Sequence, residues 1–250
     1  MYYKKTALLI ILSCLIANQG NRYAYSIGVL GHLPQNEFKD AGVTSGIGID
    51  FNGVWYPING MGVGLNFGGS IYDKSSREIP FSYYSDLITI TEETENNILY
   101  GHLFFNVLPQ WFRFRPSIEG LVGFKTLQTK TTLYNHNCYD NPDTSYDECE
   151  IASSVIDIPE SKNSTALSYG WGVGLEVVLN QSNTVNENGA LSFFINGRYL
   201  YGNEASYLKA GDITFSDPED GPVESTFNWN ESKTDVFQIT IGIKGLSILY

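Results

Sequence analysis

From Tyr23 onward, segments of roughly ten residues alternate large apolar residues with small or polar ones, which is the period of two of a β-strand. Every odd position from 167 to 179 is apolar, whereas the even positions before 178 are Ser, Gly or Glu. The many Gly and aromatic residues argue against long helices. The sequence therefore predicts an all-β protein with eight antiparallel strands, at 23–30, 43–56, 61–72, 98–108, 114–127, 167–179, 191–201 and 236–244.

The connections between these segments alternate between short and long. Short turns at one end and long loops at the other are typical of an up-and-down transmembrane β-barrel. Because the strand number is even, both ends of the barrel return to the short-turn side, which we expect to face the periplasm. The short links are 57–60, 109–110 and 180–189, and the long loops are 31–42, 73–97, 128–166 and 202–235.

The N-terminus, residues 1–22, is predicted to be a signal peptide, which leaves 23–250 as the barrel domain. Two lysines precede an apolar run that is too short to span a membrane as a helix. The cleavage site stays open, and a weak lipobox before Cys14 leaves lipidation of that residue open as well.

The two faces of the predicted strands differ in polarity: one carries the large apolar residues and the other carries charged and amide side chains. A soluble barrel turns its apolar face inward, whereas a membrane barrel turns it outward to the lipid. Apolar-face aromatics lie near both strand ends, as in the girdles at the two membrane interfaces. We therefore predict a barrel in the bacterial outer membrane, with a soluble barrel as the alternative. The predicted girdle residues are Tyr23, Tyr25, Trp55 and Trp111 on the short-turn side, and Tyr72, Tyr169, Trp171, Tyr199 and Tyr201 on the loop side.

Five charged residues lie opposite the large apolar residues of their own strands: Glu119, Lys125, Glu176, Arg198 and Lys244. Facing lipid near mid-bilayer, an Arg or Lys would cost roughly 2–4 kcal/mol. We therefore expect these side chains to point into the lumen and to form a charge-paired network, because a buried charge needs a partner. The interior of an eight-stranded barrel is only wide enough to hold side chains, so such a network would block the lumen.

Three short motifs lie on consecutive predicted strands: Arg-Pro-Ser-Ile-Glu-Gly-Leu-Val-Gly at 115–123, Gly-Trp-Gly-Val-Gly-Leu-Glu at 170–176 and Gly-Arg-Tyr at 197–199. They resemble the fifth, sixth and seventh strands of the outer-membrane β-barrel domain, the superfamily that includes the barrel of outer membrane protein A and the opacity proteins. The resemblance covers nearly the whole mature chain and implies a fold more than an activity. Members of that superfamily usually end on an aromatic residue in phase with the outward face. Tyr250 is out of phase with Ile243, so either a bulge near Lys244 restores the phase or the chain leaves the barrel there.

Cys138 and Cys149 remain as a pair once Cys14 has left with the signal peptide. An even pair in an exported chain favours a disulfide, with two free thiols as the alternative. A zinc site is not favoured, because no second Cys/His pair of suitable spacing accompanies the two cysteines.

Negative charge is concentrated in the predicted loops. The chain carries a formal net charge of −12, whereas 73–97 carries −4 and both 135–163 and 203–232 carry −6, so the rest is slightly basic. This distribution argues against a nucleic-acid partner. The acidic loops either keep the surface solvated or bind divalent cations near the lipid head groups, and they offer a surface to an extracellular ligand.

The sequence contains no catalytic constellation, because its three histidines lie in different segments without a nucleophile or acid at a suitable spacing. The Gly-x-Gly runs lie on strands and lack the following helix of a nucleotide motif. We expect no cofactor, no metal site and no enzymatic activity. The predicted function is to anchor long acidic surface loops, in a structural, envelope-integrity or surface-interaction role; a narrow porin-like channel for ions or small solutes is the alternative. Outer-membrane lipid and the insertion machinery are the expected partners of a monomeric barrel.

Overall fold

The computed structural model describes residues 22–58, 60–80, 89–109, 113–135, 163–184, 187–209, 211–215 and 225–248. These ranges contain one short helix, α1 (Asn36–Asp40), and twelve strands. The long strands are β1 (Arg22–Pro34), β2 (Gly46–Ile58), β3 (Met61–Pro80), β4 (Thr89–Val107), β5 (Phe114–Asn135), β6 (Asn163–Thr184), β7 (Glu187–Gly202) and β12 (Val236–Ile248). The short strands are β8 (Glu204–Tyr207), β9 (Ile213–Phe215), β10 (Ser225–Phe227) and β11 (Asn230–Lys233).

The eight long strands close into one antiparallel barrel in the order β1-β12-β7-β6-β5-β4-β3-β2. Strands β7 and β12 are neighbours because the four short strands all lie in the connection between them. The barrel closes where β12 pairs with β1 along the whole of Arg22–Pro34. The predicted eight-stranded up-and-down barrel is therefore confirmed. Among the described residues, no helix is long and apolar enough to cross a membrane.

Three neighbouring strands, β3, β4 and β5, contain 20, 19 and 22 residues, about twice the length that spans a bilayer. The pairing of β3 with β4 continues to Pro80↔Thr89, and that of β4 with β5 continues to Ile90↔Asn135. Much of 73–97 and the first part of 128–166, which the sequence predicts as loops, are therefore strand. The sequence pattern missed them because these stretches carry mostly polar residues on both faces and lack the continuous apolar face of a membrane strand. Residues 74–80, 89–96 and 129–135 are called the β3–β5 extension below.

Side chains on the barrel strands alternate between the outside and the lumen. On β3, for example, Phe67 is 53% exposed whereas Asn66 is wholly buried. Large apolar side chains form the outer belt on all eight strands, and ionisable and amide side chains fill the inside. A soluble barrel would require the opposite distribution, so the soluble alternative is wrong.

The last strand, β12, continues past Lys244, the position after which the sequence predicts either a bulge or an exit from the barrel. β12 stays in unbroken register with β1 through Arg22↔Ile248 and with β7 through Ser247↔Gly189. Neither a bulge nor an exit from the barrel occurs near Lys244. Leu246 instead keeps the inward phase and packs, partly buried, against the core cluster. Tyr250 lies outside the described residues.

The loop end of the barrel is covered by what is called the cap below: α1 together with residues 203–209 and 230–235, in which β8 pairs with β11. The ring of Phe38 is wholly buried and lies 5.9 Å from that of Tyr72 and 5.5 Å from that of Tyr207, between ring centroids. Lys209 Nζ donates to the carbonyl of Ala41 at 2.8 Å. The cap thus joins α1 to the long β7–β12 connection through an aromatic core.

Candidate functional site

The middle of the lumen is occupied by Arg198, which β7 presents inward between two carboxylates. Its Nε donates to Glu119 Oε1 at 2.5 Å, and its Nη1 lies 3.1 Å from Asp50 Oδ2. Glu119 comes from β5 and Asp50 from β2, so one guanidinium joins three strands around the barrel. All three side chains are buried, so each charge depends on the others for compensation.

Neutral side chains complete the coordination of Asp50. Tyr100 OH and Asn66 Nδ2 each donate to Asp50 Oδ1 at 2.6 Å, and Asn52 Nδ2 donates to Asp50 Oδ2 at 2.8 Å. The carbonyl oxygen of Asn52 in turn accepts from Arg198 Nη2 at 3.0 Å. The network therefore satisfies the carboxylate from four different side chains, which fixes its position across the lumen.

Gly172 of β6 makes room for the Arg198–Glu119 pair. Register places it opposite Arg198 on one side and Glu119 on the other. A Cβ at this position would lie 2.8 Å from Glu119 Oε1 and 3.0 Å from Arg198 Cγ. The inward glycine is thus required by close approach.

A second charged layer lies toward the short-turn end and is centred on Glu176 of β6. Its Oε1 is 3.2 Å from Arg115 Nη1, and its Oε2 accepts from Lys244 Nζ at 2.7 Å. Lys244 also donates to Tyr56 OH at 2.9 Å, and Ser192 donates to Glu176 Oε1 at 2.8 Å. These bonds tie β5, β6, β7, β12 and β2 together across the lumen.

Lys125 lies apart from both layers, at the loop end of the lumen. Its wholly buried ammonium donates to the backbone carbonyl of Thr234, in the cap. The sequence prediction placed all five charged residues in one network. The structure instead places Glu119 with Arg198, places Glu176 with Lys244, and directs Lys125 to the cap.

A hydrogen-bonded chain of Asn66, His102 and Ser168 crosses the lumen beside the Arg198 layer. His102 Nδ1 lies 3.3 Å from Asn66 Oδ1, and Nε2 lies 2.9 Å from Ser168 Oγ. The order is that of an orienting group, a base and a nucleophile in hydrolases. Ser168 is wholly buried and His102 nearly so, so a substrate has no access to this hydroxyl and the chain fills the lumen.

Of the nine predicted girdle residues, Trp111 lies outside the described residues and Tyr72 faces inward. The other seven lie in the outward phase of their strands: Tyr23, Tyr25, Trp55, Tyr169, Trp171, Tyr199 and Tyr201. On the loop side Tyr201 lies 5.5 Å from Tyr169 and 5.0 Å from Tyr199, between ring centroids.

The outward placement of Tyr72 is wrong. Its side chain is 2% exposed and packs on Phe38 inside the cap core. The physical reason is phase, because Tyr72 is at an even position on β3 whereas the outward residues of that strand from Met61 to Ile71 are odd. A position near a strand end therefore does not place an aromatic side chain in the girdle when its phase is inward.

The predicted charge network did not include Asp50, Arg115 or Tyr100, which the structure places in the lumen. The sequence pattern places Asp50 on the polar face of its strand but gives it no ionic partner, and Arg115 lies in the same inward phase as Glu119. Tyr100 is less obvious, because a tyrosine on a membrane strand is typical of a girdle; its inward phase decides the matter, and its hydroxyl serves Asp50.

Several predictions fall outside the described residues. They are the signal peptide, Trp111, the Cys138–Cys149 disulfide, residues 136–162 of the acidic loop at 135–163, and residues 210 and 216–224 of the one at 203–232. Within the part of the chain that the structure describes, no group of three or more His, Cys, Asp or Glu is arranged to hold a metal ion.

An exposed ion pair fastens α1 to β11 at the cap surface. Lys233 Nζ donates to Glu37 Oε1 at 3.1 Å. This hydrogen bond lowers the pKa of the Glu37 carboxyl and raises the pKa of Lys233.

No family model and no curated protein matches this chain. Solved structures to which it is similar include the outer membrane protein OprG from Pseudomonas aeruginosa, with 12% identity, a TM-score of 0.42, and coverage of 93% of this chain and 98% of that one. Ail, the attachment invasion locus protein of Yersinia pestis, has 15% identity and a TM-score of 0.35, over 90% of this chain and 99% of that one. Neisserial surface protein A has 8% identity and a TM-score of 0.35, over 92% of this chain and 98% of that one.

The chain's own geometry defines the class of protein. A closed barrel of eight antiparallel strands, an apolar outer belt and a charged interior are the properties of a β-barrel of the bacterial outer membrane. The predicted resemblance to the outer-membrane β-barrel domain is thereby confirmed at the level of the fold.

Proposed function

We propose that this protein is a non-enzymatic outer-membrane barrel that acts outside the cell. It holds the β3–β5 extension, the cap and the acidic loops at the surface, in a structural, envelope-integrity or surface-interaction role. The observation that supports this most directly is that the lumen is filled while three strands continue far beyond the apolar belt. The proposal implies a monomeric barrel whose partners are the outer-membrane lipid and the outer-membrane insertion machinery.

The length of β3 separates the membrane part from the surface part. Its outward apolar residues run from Met61 to Ile71, but the strand continues to Pro80. At 3.3 Å per residue, the remainder of the strand is roughly 30 Å long, measured along the strand. Just beyond the belt, Lys74 Nζ of β3 forms an ion pair with Glu93 Oε1 of β4 at 2.5 Å. An exposed ion pair of this kind is suited to water and not to the lipid.

The β3–β5 extension also presents strand edges. Pairing of β2 with β3 ends at Gly46↔Tyr72, and pairing of β5 with β6 ends at Gln128↔Asn163. Within the described ranges, the outer edges of the extension on β3 and β5 therefore have no strand beside them. Exposed edges accept an extended segment of another protein as an added strand, which supports a surface-interaction role.

The filled lumen argues against the alternative function, a narrow channel. A passive solute would have to pass the Arg198 layer, the Glu176 layer and the cap, and each is held by hydrogen bonds between different strands. Opening such a path would break buried ion pairs, which costs several kcal/mol for each uncompensated charge.

Shortening the extension tests the proposal. Deleting residues 74–79, 90–95 and 130–135 removes six residues from each strand in register, and an even number preserves the alternation of faces. We expect the shortened barrel to assemble and to resist urea like the parent. Cells that carry it should lose adhesion to a panel of immobilised extracellular-matrix proteins, or lose resistance to detergent if the role is envelope integrity.

A labelling experiment tests whether the extension is outside the cell. In a Cys138→Ser, Cys149→Ser background, a membrane-impermeant maleimide should modify Ser76→Cys on intact cells and should modify Asn180→Cys only after lysis. Labelling of Asn180→Cys on intact cells contradicts the orientation. A shortened protein that is surface-exposed and fully active in both adhesion and detergent resistance contradicts the proposed role.

A further inference from the structure

A glycine interrupts the outward face of β2. The outward positions of this strand carry Ile49, Phe51 and Trp55, but the position between the last two is Gly53. The result is a groove of about 520 Å³ on the outer face of β1, β2 and β3, a volume typical of pockets that hold small ligands. Its walls include the side chains of Tyr25, Phe51, Trp55, Val63, Leu65 and Phe67.

We propose that this groove is a binding site for one acyl chain of a membrane phospholipid, held in a fixed position against the barrel. The inference rests on the membrane placement of the barrel and is independent of the proposed surface role.

The position of the groove identifies its occupant. It lies within the apolar belt and is continuous with it, because its walls are themselves exposed belt residues such as Phe67 and Leu65. It lies toward the short-turn end, near the start of β1 and the end of β2. A groove in this belt opens into the hydrocarbon of the bilayer, where the available occupant is a lipid chain.

Binding of the chain in the groove has to come from van der Waals packing, because lipid tails are as apolar as the walls and no hydrophobic driving force acts between them. The groove offers aromatic walls on several sides, and aromatic side chains lose little conformational freedom on contact. Tyr25 stands opposite Gly53 on one neighbouring strand and opposite Gly245 on the other. The Tyr25 ring lies 3.8 Å from a Cβ placed on Gly53, so it forms one wall and leaves the notch itself open.

Trp55, a wall of the groove, supplies the readout. The full chain with Trp111→Phe, Trp171→Phe and Trp229→Phe keeps Trp55 as the single tryptophan. In detergent, it is titrated with phosphatidylethanolamine that is brominated on its acyl chains, which quench an adjacent indole. We expect saturable quenching at about one lipid per barrel.

Substitutions at two outward glycines separate a site from ordinary lipid contact. Gly53→Leu places a side chain in the groove and should abolish the saturable phase. If Gly53→Leu does not fold, Gly53→Ala is the substitute, and it should weaken the saturable phase. Gly120→Leu is the matched control, because Gly120 is an outward glycine on β5 that has no atom within 4 Å of an added Cβ. It should keep the saturable phase.

Two results overturn the proposal. One is quenching that rises without saturation and is equal in the parent and in Gly53→Leu. The other is a dimer of the parent that Gly53→Leu converts to a monomer, which would make the groove a contact between two copies of the chain. Failure of the parent to insert into phospholipid vesicles would refute the membrane placement instead, so the two failures are distinguishable.

Discussion

Arg198 is the residue on which the filled lumen depends most. It is 1% exposed and contacts carboxylates from two other strands. Arg198→Ala leaves Asp50 and Glu119 buried without their cation, a change that typically costs 3–5 kcal/mol. We expect a loss of about that size in the free energy of unfolding, measured by urea titration in lipid vesicles.

Two variants bracket this effect. Arg198→Lys keeps the charge but loses the planar fork that contacts two carboxylates at once, so it should recover stability only in part. Arg113→Ala, whose exposed side chain lies at the short-turn end and donates to the carbonyl of Val178, should change stability little. A wild-type urea midpoint for Arg198→Ala would show that the network does not hold the barrel.

At the scale of elements, the cap is joined to the barrel through Phe38. Its ring is buried against Tyr72 and Tyr207. Removing a buried ring of this kind costs about 3–5 kcal/mol, and here the loss should be local to the cap. In Phe38→Ala we expect faster protease cleavage within 203–235 at an unchanged unfolding midpoint of the barrel. Phe114→Ala, which removes a lipid-facing ring at the other end, should leave the cleavage rate as it is.

The Glu37–Lys233 pair should make the attachment of α1 to β11 sensitive to acid. Lys233 donates a hydrogen bond that lowers the pKa of the Glu37 carboxyl. The stabilisation is therefore complete above the ordinary pKa of a glutamate and is lost as the pH falls through the lowered one. The amplitude should be small, because both side chains are about half exposed.

Trp229, adjacent to β11, reports this transition in a chain whose other tryptophans are replaced by Phe. Its fluorescence should change as the pH falls below the usual glutamate range, and Glu37→Gln should remove that part of the titration. An identical titration in the two proteins would contradict the assignment to Glu37.

The elements that the sequence predicts well are those whose side chains face two different environments. The alternation at 167–179 is unambiguous because lipid selects one face and the lumen selects the other. The extension of β3 beyond Tyr72 and the short strands of the cap have water or each other on both sides, so their sequences carry no such contrast. Pairings such as Arg198 with Asp50 require the barrel register, because the two residues are far apart in the sequence.

For the molecule as a whole, the strands divide the protein into a barrel part with a filled lumen and a part that continues beyond the apolar belt. Two charged layers and the cap close the lumen in series, while β3, β4 and β5 continue beyond the belt. The proposed function as an anchor, rather than as a pore, depends on this closed lumen.

Planar-bilayer conductance of the purified wild-type protein tests this claim most directly. The filled lumen predicts no resolved current steps above the bare bilayer, and it predicts that steps appear in Arg198→Ala if that variant stays folded. Stable, ohmic current steps from the wild-type protein, unchanged by Arg198→Ala, would contradict the account and favour the channel.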